Sequence, residues 1–131
     1  MKKMTVSAAM KIIHFYSGQK NYTEDEAAEY IEAMEYMLDH EPFVENAWLF
    51  NLAHLYDRMG KYDLAVKYYN LCIKDNAVGY IGLGDTYRHM KEYEKAYACY
   101  MKAREHGFHK AASRIEDLIK EQEEYHGSHE D

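Results

Sequence analysis

The chain has 131 residues, 47% of them hydrophobic and 30% charged, which is enough for one globular core and too apolar for a disordered chain. Sixteen basic against twenty-three acidic residues leave a net charge of −7, which disfavours sequence-independent grip on nucleic-acid backbones and on anionic membranes. One proline and seven glycines are too few for the many turns of an all-β fold and suit long helices.

In chain order, the first predicted helix runs from Thr5 to Tyr16, with Ala9, Ile12, Ile13 and Tyr16 on one face. The stretch is interrupted by Lys11 and His14, so it is neither a secretion signal nor a membrane span. A polar turn, Ser17 to Asn21, leads to Thr23, with Glu26 three residues on, which is the order of a capping box. The helix that starts there carries Ala27, Tyr30, Ile31, Met34 and Leu38, and Asp39 to Pro42 ends it.

From residue 45 onward the chain repeats itself. A shift of 31 positions lays Leu52 on Leu83, Ala53 on Gly84, Tyr56 on Tyr87, Met59 on Met90, Tyr62 on Tyr93, Ala65 on Ala96 and Tyr69 on Tyr100. Each copy reads as a helix pair. Trp48, Leu49, Leu52, Leu55 and Tyr56 share one face of the first helix, Gly60 supplies a left-handed turn, and Tyr62, Ala65, Val66, Tyr69 and Ile73 face inward on the second. The next copy uses Tyr80, Leu83, Gly84 and Tyr87, then Tyr93, Ala96, Tyr97, Tyr100 and Ala103. The small residues Ala53, Ala65, Gly84 and Ala96 let helix backbones approach closely. Asn76 and Gly107 fall at matching joints and are the residue types that most readily adopt the left-handed cap. A last helix, Phe108 to about Tyr125, turns Ala111, Ala112, Ile115, Leu118 and Ile119 inward and a charged face outward, as a terminal cap requires.

The expected fold is all-α: units at about 5–40, 45–75 and 76–106, a cap at 108–125, and an acidic, histidine-bearing tail at 126–131 expected to be disordered. Cys72 and Cys99 belong to no paired pattern, which suits reduced, buried thiols and a cytoplasmic protein.

The residues Leu49, Leu52, Ala53, Tyr56, Gly60, Tyr62, Ala65, Tyr69 and Cys72, and again Tyr80, Leu83, Gly84, Tyr87, Tyr93, Ala96, Tyr100 and Ala103, resemble the tetratricopeptide repeat. The joint from Ala103 to Gly107 before Ala111 also resembles the related Sel-one-like repeat. The period is shorter than the family's roughly 34 residues, and Lys91 stands where the turn glycine belongs. The resemblance implies an α-α superhelix of three helix pairs and a cap, whose first helices line a concave groove. Groove positions carried over from the family are Met10, His14, Phe50, His54, Asp57, Arg58, Ile81, Asp85, Arg88 and His89. Such a surface suits a protein or peptide partner; Phe50 and Ile81 could equally pack on neighbouring repeats. The family's clamp for a C-terminal carboxylate is not expected, because Phe50 and His54 occupy its positions.

The His106/His109 and His126/His129 pairs lack the three or four converging ligands of a zinc site, and the chain has no phosphate loop, GxSxG elbow or HExxH. The sequence therefore points to a non-catalytic interaction module with no cofactor. A self-associating homo-oligomeric scaffold is the second reading, and a small metal-binding or hydrolytic protein the third.

Overall fold

The computed structural model describes residues 3–41, 46–74 and 76–129, all seven of whose regular elements are helices. They are α1 (Val6–Tyr16), α2 (Glu24–His40), α3 (Asn46–Arg58), α4 (Tyr62–Ile73), α5 (Gly79–His89), α6 (Tyr93–Glu105) and α7 (Lys110–His129). Three hairpins and a closing helix are the expected architecture. The role given to Pro42 lies outside the described residues. Among the described residues no helix is long and apolar enough to cross a membrane.

Local chemistry sets the helix ends. Thr23 Oγ1 accepts from Glu26 N–H and Glu26 Oε1 accepts from Thr23 N–H, both at 3.1 Å, so two orphan donors of α2 are satisfied reciprocally. The closures of α3, α5 and α6 share one device. Gly60, Lys91 and Gly107 take positive φ (77°, 64° and 88°). The next residue in each case donates its N–H five residues back: Lys61 to Tyr56, Glu92 to Tyr87 and Phe108 to Ala103. This is the Schellman closure, and it forces Lys91 into a conformation that ordinarily costs an L-residue about 1–2 kcal/mol. Asn76 does not adopt the expected left-handed cap. Instead α4 stops at Ile73, and the Asn76 side-chain oxygen accepts from Val78 N–H at 3.1 Å, bending the chain into α5 without a positive φ.

The tyrosine ridges face inward. Tyr69 and Tyr100 are among the most deeply buried large side chains, and such burial stabilises by roughly 1.5–3 kcal/mol each. Both rings lie on α5. A Cβ added to Gly82 would overlap the Tyr69 ring, and one added to Gly84 would lie 2.6 Å from Tyr100 Cε1. Two rings from two different helices thus use the bare backbone of one. Leu52, Ala53, Ala65 and Ala96 are fully buried as expected. Tyr97, Ala112 and Ile119 are exposed instead of inward, because Cys99, Ala111 and Leu118 take the buried stripe of their helices. Beyond Tyr125 the expected tail is helical to His129: Tyr125 packs on Tyr93 (ring centroids 5.6 Å apart), which ties down the last turns of α7.

The buried residues form two groups. One runs from Ala9 of α1 to Leu83 and Cys99, the other joins Tyr93, Tyr100 and Ala103 to Ala111, Ile115 and Leu118, and Tyr87 packs against both. Each hairpin packs on the next, and α3 also touches α5 directly, whereas α4 and α6 are not comparably close among the described residues. Between the second and third hairpins the stack is therefore tighter on its first-helix side, which makes that side the inner face of the curve there.

Candidate functional site

On α3 and α5 the expected groove positions meet. Asp57 is buried, and one of its carboxylate oxygens lies 2.9 Å from Nδ1 of the exposed His89, linking the end of α3 to the end of α5. Asp85 accepts from the Tyr100 hydroxyl and pairs with Arg114 at 3.4 Å, linking α5 to α6 and α7. Both carboxylates that the sequence placed in the groove are thus engaged in joints between units. They still bias the surface electrostatically: Asp57 and Asp85 both act on His54.

The aromatic and aliphatic members are half-buried. Phe50 packs edge-on to Tyr69, with ring centroids 5.5 Å apart at 71°, and Ile81 packs on the C-terminal core group. Arg88 is half-buried, with its Nε shielded and without a hydrogen-bond partner among the described residues. His54 and Arg58 are exposed and form the open part of the surface. Met10 and His14 do not join this group. With Lys11 and Phe15 they line a separate shallow apolar depression on α1, where Phe15 is 64% exposed.

His54 and Arg58 open onto a cleft of about 190 Å³ between α3 and the turn after α1. Its other walls include Lys20, Asn51, Tyr22 and Tyr30, none of which the repeat pattern marked. Ser17 to Lys20 read as a polar turn, and only the packing of the first hairpin on α3 reveals that the turn faces the inner surface. The His54 imidazole is pushed below its ordinary pKa by partial desolvation and then by Arg58, with Asp57 and Asp85 opposing and His89 adding to the fall. The neutral ring is favoured there at neutral pH.

Side chains suited to nucleophilic chemistry are withdrawn. Cys72 and Cys99 are both buried, and burial raises the Cys99 thiol to about 11, so its thiolate is scarce at neutral pH. Among the described residues no three His, Cys, Asp or Glu side chains gather as a metal would need. The site offers charge, hydrogen bonds and shape.

No curated protein matches the sequence. A family model for the tetratricopeptide repeat matches residues 49–74 and 77–104, which are the two hairpins α3–α4 and α5–α6. The matched spans coincide with the closures at Gly60 and Lys91 and with the tyrosine and small-residue seams that hold the hairpins together. Over these two hairpins the chain matches the tetratricopeptide repeat family.

Proposed function

We propose that the chain is a non-catalytic interaction module whose first-helix side receives a peptide or helix of a partner protein. Repeats of this family generally mediate protein–protein interaction, and the family is typically non-catalytic. One observation carries the reading. The exposed polar surface of His54, Arg58 and His89 sits on a frame already braced by Asp57–His89 and Asp85–Arg114. A surface held in place before binding loses little conformational entropy when a partner arrives, and its mixed charges set orientation. The half-buried Phe50 and Ile81 contribute shape beneath it.

The test is site-specific photocrosslinking. A photoreactive residue replacing the exposed His54 on the inner side is compared with one replacing the exposed Tyr97 on α6. Partner adducts are expected from position 54 and not from position 97. Adducts from position 97 alone would place binding on the second-helix side and refute the groove.

A further inference from the structure

The cleft between the α1–α2 turn and α3 carries chemistry that a general peptide groove does not require. Its only fully charged lining residues are Lys20 and Arg58, both positive, and no carboxylate lines it. Among the described residues neither cation is ion-paired with an acidic side chain. In a chain with seven excess negative charges this is a local inversion of sign.

The cleft also borders the C-terminus of α1, where the unpaired carbonyls and the negative end of the helix dipole would ordinarily repel an anion. Here those carbonyls are covered. Ile13 O accepts from Ser17 N–H at 2.9 Å, and His14 O accepts from Ser17 Oγ at 3.2 Å. Phe15 O accepts from Gln19 Nε2 at 3.3 Å, and Tyr16 O accepts from Gln19 N–H at 3.0 Å and from the Tyr22 hydroxyl at 2.9 Å. Four acceptors at this helix end are therefore occupied within the turn. Asn51 lines the same wall as Tyr30, and His54 stands beside Arg58.

We propose that this cleft is an oxyanion subsite that takes the phosphate monoester of a phosphorylated side chain on the bound partner. Lys20 and Arg58 supply two fixed charges, matching the roughly −1.5 to −2 of a phosphate monoester at neutral pH. A carboxylate would leave one of them uncompensated. The Arg58 fork gives planar, directional donors, and Asn51 and His54 complete the set. The proposal rests on the groove reading in one respect: it takes the phosphate to arrive on a peptide.

The experiment is a titration of ¹⁵N-labelled protein followed by NMR, with three probes: inorganic phosphate, N- and C-blocked phosphoserine, and N- and C-blocked glutamate. Both phosphate probes are expected to give saturable shifts concentrated at residues 17–20, 51, 54 and 58. Losing one charge-assisted contact is expected to weaken glutamate by at least about tenfold relative to phosphoserine. Lys20→Ala/Arg58→Ala is expected to weaken phosphoserine by at least about tenfold, with an unchanged circular-dichroism spectrum because both side chains are exposed. The Lys20→Arg/Arg58→Lys exchange, which keeps both charges, is expected to restore most of the binding.

Three results would overturn the proposal: phosphoserine affinity unaffected by the double alanine change, glutamate binding as tightly as phosphoserine, or inorganic phosphate binding where blocked phosphoserine does not. Because these probes need no partner, their failure removes the subsite and leaves the groove standing. Adducts from position 97 alone remove the groove instead.

Discussion

Replacing Gly82 by alanine tests whether neighbouring hairpins lock through a ring seated on bare backbone. The new Cβ would overlap Cε1 and Cζ of Tyr69 and lie 2.8 Å from its hydroxyl oxygen. Tyr69 is only 2% exposed, with Phe50 against it, so the ring has nowhere to withdraw. Inserting a methyl into a filled site costs about 1–3 kcal/mol, and overlap with two ring carbons argues for the upper half of that range. Alanine recovers about 1 kcal/mol through helix propensity, leaving a net loss of roughly 1–2 kcal/mol. With an unfolding entropy of about 2.1 cal/mol/K per residue over 131 residues, that loss lowers Tm by roughly 4–7 °C. Thermal unfolding followed by circular dichroism at 222 nm measures it. The control is Gly127→Ala in α7, where nothing lies within 4 Å of the added methyl, and its Tm is expected to hold or rise slightly. A Gly82→Ala protein as stable as the native chain would show that Tyr69 is not seated on α5.

Lys91→Gly is expected to stabilise the chain by about 0.5–1 kcal/mol, since glycine removes the penalty of a left-handed lysine and gives back part of it as unfolded-chain entropy; the urea midpoint should rise at constant m, and a fall would mean that the lysine side chain contributes a contact of its own. Alkaline pH should unfold the protein. Tyr16 is raised to about 12 chiefly by donating to Glu29, and Tyr30, Tyr56, Tyr68, Tyr69 and Tyr100 are raised chiefly by burial. A folded pKa above the unfolded one means stability is complete below about pH 10 and falls as pH rises past it; a urea midpoint unchanged between pH 9 and 11.5 would contradict this.

Much of the hairpin architecture was legible because helix pairing repeats a chemical pattern, and a pattern can be slid along itself. The 31-residue register found Ala65, Tyr69, Ala96 and Tyr100 in their roles, and the Gly60 turn and the Thr23–Glu26 capping box followed from local spacing alone. The errors came where tertiary packing overrides residue type. Asn76 was expected to be left-handed, yet a side-chain hydrogen bond made the turn instead. Tyr97 and Cys99 both satisfy a helical stripe, and only the angle at which α6 meets its neighbours decides which is buried. Among the candidate groove residues, Asp57 and Asp85 were visible as positions but not as joints, because their partners His89 and Arg114 lie on other helices. Lys20 and Asn51 carry no motif, and only the docking of the first hairpin on α3 brings them beside Arg58.

The division of the interior into two groups that share Tyr87 has an implication for how the chain can be shortened or extended. The seam runs through the α5–α6 hairpin, whereas the repeat in the sequence runs from one hairpin to the next. Copying and melting thus follow different borders. Excising the α5–α6 period would cut through both interiors, while deleting α7 would strip the shared tyrosine's C-terminal side and leave α1 to α4 with their own interior intact.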